Sequence, residues 1–313
     1  MRRRTLFSWL TAAILAIVAG IALSLTGHAA TPPAASTCTT SAQKGTCGPY
    51  VYPQITGTTS ETSVDNNVWS PITGWKQTLK VTNPGKWQVT ANIPAGNTSV
   101  VSYPSVGGNY GQTNDTSTPL SNYASIYSSF TENMHATSKT SSWAAYDIWL
   151  GSGSSTAWSG EVMIQQDYSN NGACTFEATA SFGGAGGAPV QTWNLCQFGS
   201  ELVWKLPSNE PSGTVDILPM LQWLVTHKYL PANSGLWAIG YGWEICSTGG
   251  VNENYNVSSF SITTTPSVTA SSRSLAAHAR ICAGGRPQGR PFAVGWPRDV
   301  SRPPRPRSCV RRH

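Results

Sequence analysis

Short runs rich in aromatic and β-branched residues follow one another through most of this 313-residue chain, with Gly, Asn, Ser and Pro between them. Residues 75–81, 86–93, 99–103, 144–150, 160–166, 175–182, 189–195, 202–206, 236–244 and 257–263 are such runs. β-Branched and aromatic side chains suit a pleated surface, and the residues between them suit turns, so each run predicts a strand. A long succession of strands buries its apolar faces by packing one sheet on another, which predicts an all-β sandwich or jelly roll. One segment departs from the pattern. Apolar residues recur at 217, 218, 221, 224 and 225 within 215–228, which is helical spacing. Thr214 or Asp216 is placed to cap it, and Pro219 is tolerable in a first turn. One helix packed on the outside of the strands is expected.

The two ends are unlike the middle. Arg2, Arg3 and Arg4 precede an apolar stretch from about Leu6 to Leu25, and Gly27-His28-Ala29-Ala30 supplies small residues. That order predicts a secretory leader over 1–30, removed to give an extracellular protein. Residues 31–65 form an N-terminal segment of the mature chain, 66–265 the main domain, and 266–313 an Arg- and Pro-rich tail without hydrophobic periodicity, expected to be disordered. The formal charge of +6 comes from the ends. Between residues 31 and 265 there are seven lysines, no arginine and thirteen acidic residues, a net of −6. A mildly acidic domain is not built for nucleic acid or for an anionic membrane surface, so neither is an expected partner, and a monomer is expected.

Cysteine usage suits an oxidising compartment. Cys38 with Cys47 and Cys174 with Cys196 are the simplest pairs, each closing a modest loop, and a pairing of Cys246 stays open. With no CxxC pair and no His cluster, no metal is implied, nor any cofactor. His135 and His227 read as surface or capping residues.

Only 11% of the residues are charged, yet Glu161 and Glu244 each stand inside an apolar strand-like run. A carboxylate there costs free energy unless it has a partner or a task. Alternation puts Glu161, Met163 and Gln165 on one face of their strand, and Asp147 with Trp149 on one face of the preceding strand. Hairpin pairing about Ser154 would set Asp147 opposite Glu161, and close carboxyls shift each other's protonation. Gly240 and Gly242 would leave the Glu244 face bare for a ligand, while Tyr241 and Trp243 point inward. Two carboxylates from different strands meeting in one cleft is what glycoside hydrolysis requires.

These residues carry a resemblance to glycoside hydrolase family 12, retaining β-1,4-glucanases in the jelly-roll clan shared with the family 11 xylanases. Asn66-Asn67-Val68-Trp69 resembles that family's Asn-Asn-x-Trp segment, and Ser102-Tyr103-Pro104-Ser105 its Ser-Tyr-Pro-Ser stretch. Tyr146-Asp147-Ile148-Trp149 resembles its Tyr-Asp-Ile-Trp strand, Glu161-Val162-Met163-Ile164 its nucleophile motif, and Gly242-Trp243-Glu244 its acid/base motif. The resemblance implies a concave substrate cleft with Glu161 as nucleophile, Glu244 as general acid/base and Asp147 bonded to the nucleophile. Trp69, Asn67, Tyr103, Trp149, Met163 and Gln165 are the candidate substrate-binding residues, with Tyr110 a further stacking platform. The implied substrate is cellulose-like, mixed-linkage or xyloglucan polysaccharide. The chain departs from the pattern where the family has Trp after its nucleophile motif, here Gln165, and Pro-Trp after the acid/base Glu, here Ile245-Cys246. The competing readings are a non-catalytic carbohydrate-binding jelly roll, a xylanase and an acid-active glutamic peptidase.

Overall fold

The computed structural model of the chain describes residues 37–53, 59–108, 112–113, 116–152, 158–171, 174–198 and 201–267. The expected leader, Tyr110 and the tail after Ser267 lie outside the described residues. The strands form two sheets. The smaller runs, in order of pairing, β1 (Cys38–Thr40), β4 (Lys76–Asn83), β5 (Lys86–Asn92), β17 (Glu253–Pro266), β9 (Tyr123–Met134) and β15 (Ser212–Asp216). The larger runs β12 (Thr175–Phe182), β13 (Gln191–Phe198), β14 (Glu201–Lys205), β11 (Trp158–Ser169), β10 (Ser141–Ser152), β16 (Ser234–Ser247), β6 (Ser105–Gly108), β3 (Thr59–Asp65) and β2 (Thr46–Pro53). Short strands β7 (Gln112–Thr113) and β8 (Thr116–Pro119) join it through β16. This is the expected jelly roll.

Alternation along the middle strands explains why the sheets face each other. Tyr146, Ile148 and Leu150 of β10, Val162 and Ile164 of β11, and Ile239, Tyr241 and Trp243 of β16 all turn into one core with Leu79, Val89 and Ile126 of the smaller sheet. Trp243 meets Trp87 edge-on at 5.0 Å and Tyr255 at 5.5 Å. Burying an aromatic of that size contributes about 3 kcal/mol, so the strand that carries Glu244 is anchored by the residue beside it.

The helix α1 is Ile217–Thr226, two residues shorter than expected at each end. At the front, Val215 and Asp216 are held in β15 by pairing with β9. Asp216 stands at the helix N-cap, but its Oδ2 accepts from the Ala185 amide at 3.0 Å instead of a helix amide. Ile217, Leu218, Met220, Leu221 and Leu224 are buried. At the far end His227 stacks on Trp223 at 3.6 Å and its Nδ1 meets the Trp223 carbonyl at 2.8 Å, the capping role expected of it.

β9 was not foreseen. Its inward positions are Ile126, Ser128, Phe130 and Glu132, so polar residues interrupt the apolar alternation that marks a strand. Residues 99–103, expected as a strand, contribute only isolated bridges, at Ser99 and Ser102. The disulfides Cys38–Cys47 and Cys174–Cys196 are as expected, and Cys246 is also disulfide-bonded.

Gly242 turns out to serve the chain and not a ligand. A Cβ there would collide with the Pro104 carbonyl oxygen and lie 2.7 Å from Ser105 Cα, because β6 passes that close to β16. Gly242→Ala should therefore lower stability by about 1–3 kcal/mol, read as a drop in the urea midpoint with the slope unchanged.

Candidate functional site

The pairings of β10 bring the predicted site residues onto one surface. Asp147 and Trp149 point away from the core, and so do their partners. Trp149 lies opposite Glu161 of β11 and Ala238 of β16; Asp147 lies opposite Met163 and Gly240. Ala145 lies opposite Gln165 and Gly242, and Trp143 opposite Tyr168 and Glu244. The expected pairing of Asp147 with Glu161 is therefore off by two residues. The hairpin is centred one residue later than Ser154, and a two-residue slip keeps every side chain on its face. Glu161 and Glu244 sit on strands flanking β10, six residues apart along it. Six residues of straight strand cover roughly 20 Å, so the two carboxyl groups approach only as far as strand twist and side-chain lean bring them.

Asn67, Trp69 and Tyr103 reach the same region by another route. Val68 bridges to Ser102, and Ser102 to Ile245, next to Glu244. The Tyr103 amide donates to the Asn67 carbonyl at 3.0 Å, and Tyr103 Oη donates to the Ala145 carbonyl at 3.1 Å. Asn67 adopts the left-handed conformation, with φ of 37°. Trp69 is half-buried against a second apolar cluster on this face, formed by Val100, Trp143, Ala145, Met163, Cys196, Val203 and Cys246. Asp147 and Glu244 are buried, while Glu161 and Trp149 are half-buried.

Solved structures share this architecture. The chain is similar to the xyloglucanase domain of NopAA, a type three effector from Sinorhizobium fredii, in complex with cellobiose, at 26% identity and a TM-score of 0.55 over 73% of this chain and 99% of that one. It is similar to an endoglucanase from Rhodothermus marinus at 21% identity and a TM-score of 0.57, over 74% of this chain and 100% of that one. It is also similar to a native family 12 xyloglucanase from Bacillus licheniformis, at 19% identity and a TM-score of 0.55 over 72% of this chain and 100% of that one. The fold is that of the family 12 glycoside hydrolases. No family model and no curated protein sequence matches the chain.

Gln165 is the residue that follows the Glu161-Val162-Met163-Ile164 motif and departs from the Trp expected there. It is buried, its Nε2 lies 3.0 Å from Met163 Sδ, and its Oε1 accepts from Asn171 at 2.6 Å. β14 adds residues the sequence did not single out. It runs parallel to β11 with Val203 beside Met163 and Lys205 beside Gln165, so Glu201, Val203 and Lys205 share the site's face. Among the seven lysines of the domain, Lys205 is the one that falls inside the apolar run 202–206, and that was the available signal.

A second group of carboxyls lies directly behind the site. A bulge in β11 lets Ala145 pair with Gln165 but Ala144 with Asp167, turning Gln166 and Asp167 inward. There Asp167 meets Glu132 of β9; both are buried. The Trp243 indole donates to Glu132 Oε2 at 3.3 Å, and the Gln166 carboxamide meets Tyr241 Oη at 2.9 Å. Burial, then the hydrogen bond and charge of Asp167, push the Glu132 carboxyl from 4.5 up to about 9, against the indole's pull downward. Burial raises Asp167 as well, opposed by Glu132 and the Tyr168 amide. Glu132 is the member that keeps its proton. A carboxyl whose folded value is raised binds more protons in the folded chain than in the unfolded one, so stability falls as pH climbs through that window. The melting temperature should decline steadily between pH 4.5 and about 9. Glu132→Gln, neutral at every pH, should flatten that decline, and an unchanged slope would assign it to other groups.

Proposed function

We infer that the chain is a secreted glycoside hydrolase that cleaves internal β-1,4 linkages of a glucan by a retaining double displacement. The observation that carries this is the gathering of three carboxylates, Asp147, Glu161 and Glu244, onto one face from three adjacent strands. The motif order and the shared fold support it, and so does the solved relative in complex with cellobiose. In this reading Glu244 protonates the leaving glycosidic oxygen while Glu161 attacks the anomeric carbon to form a glycosyl-enzyme. Glu244, now ionised, then takes a proton from the water that releases the sugar. Asp147, between them on β10, holds the nucleophile's protonation state. Trp69 and Trp149 offer apolar ring faces to the C–H faces of sugar rings. The basic and apolar leader and the disulfides fit export to an oxidising space.

With mixed-linkage β-glucan as substrate, Glu161→Gln and Glu244→Gln should each lower reducing-end release at least ~10²-fold, and wild-type rates in either would remove that residue from the mechanism. Retention calls for carboxyls ~5–5.5 Å apart, and inversion for wider spacing. Proton NMR of the first-formed product should show the β-anomer; the α-anomer would overturn the double displacement.

A further inference from the structure

Lys205 is a cation in an unusual place. Its strand neighbours Leu202 and Trp204 belong to the main core, and Val203 to the cluster on the site's face. By alternation Lys205 stands with Val203 on that face. Its cross-strand row, Lys205–Gln165–Ala145–Gly242, lies between the row of Asp147 and the row of Glu244. It is half-buried, and its ammonium sits 3.9 Å from the centre of the Tyr168 ring, which belongs to the same apolar surface. No carboxylate pairs with it among the described residues. A lysine side chain freely reaches water from most sheet surfaces; this one is packed over an aromatic ring on the face where a sugar chain would lie. Beside it is Gln165, a buried amide that accepts from Asn171. Asn194 of β13 is its partner on the other side.

We propose that Lys205 forms a subsite for a carboxylate-bearing unit of the polysaccharide, a glucan carrying uronic or carboxymethyl groups. An ammonium that lacks an internal counter-charge gains most from a ligand that brings one. Nearby charge sharpens the register. Glu201 lies four residues back on the same face, level with Glu161, so an anionic group displaced toward the nucleophile meets like charge. The acidic substituent is accepted in the Lys205 row and rejected two rows further along, at Glu161 and Glu201. Burial lowers the lysine's proton affinity, in keeping with a packed side chain. This subsite rests on the glucan-hydrolase reading for its location, and the test separates the two.

Affinity electrophoresis of the full chain through carboxymethyl-cellulose and through neutral hydroxyethyl-cellulose measures binding alone, with hydrolysis of both polymers assayed in parallel. Lys205→Met keeps an unbranched apolar stem one atom shorter and removes the ammonium. It should weaken binding to carboxymethyl-cellulose about tenfold, the worth of one charged hydrogen bond, and leave hydroxyethyl-cellulose binding unchanged. Lys205→Arg should retain the preference, and added salt should erode it in the wild type more than in Lys205→Met. Equal losses on both polymers, or none on either, would overturn the subsite. Binding with the predicted preference but no hydrolysis of either polymer would uphold the subsite and overturn the hydrolase.

Discussion

The pairing of β10 with β11 on one side and β16 on the other is what the site depends on. A strand has two faces and a period of two, so each residue of β10 is committed to the core or to the site by its position alone. Tyr146, Ile148 and Leu150 lock the sandwich, and Asp147 and Trp149 lie between them on the opposite face. Because both neighbours pair in register, the same division passes outward. Glu161 and Glu244 inherit their facing from β10, although they are far apart in the chain and have no contact with each other through the backbone. The candidate chemistry and the core are thus two readings of one set of ladder hydrogen bonds. A change that slipped β10 by one residue would invert both together.

The core behind the site is not purely apolar. Glu132, Asp167, Gln166 and Tyr241 occupy it with Trp243 among them. Burying a carboxyl is tolerable when it stays neutral or is hydrogen-bonded, and both conditions operate here, with a proton held by Glu132 and amides and an indole around the pair. The consequence reaches the front face through one strand. Trp243 touches Glu132 on the inside, and the next residue, Glu244, stands on the outside. The setting of the candidate acid/base is thereby supported by a group that is sensitive to pH on its own account.

Much of this was legible in the sequence. The carboxylates in apolar runs, their sharing of a face and the inward Tyr241 and Trp243 all follow from alternation, which survives errors of two residues. The exact hairpin pairing did not follow, because loop length decides it and the loop residues say little. β9 escaped because Ser128 and Glu132 occupy inward positions, and their justification is a partner from a distant strand: Ser128 receives Tyr146 Oη, and Glu132 faces Asp167. Lys205 escaped for a related reason. A lone charge in a short apolar run gains meaning only when the parallel pairing of β14 with β11 puts it beside Gln165.

The bulge in β11 has a consequence of its own. Upstream of it, Glu161, Met163 and Gln165 face outward; downstream, Asp167 faces inward and Tyr168 outward. One extra residue therefore lets a single strand send acids to both sides of the sheet. Without that residue the ladder would run regularly, with Asp167 still inward and Tyr168 still outward; straightening the bulge with the residue kept would instead turn Asp167 to the surface and drive the Tyr168 ring into the sandwich. The side on which Asp167 and Tyr168 stand is therefore held by the backbone geometry of one position, so a substitution that let the strand straighten there would move a carboxylate across the sheet without altering that carboxylate.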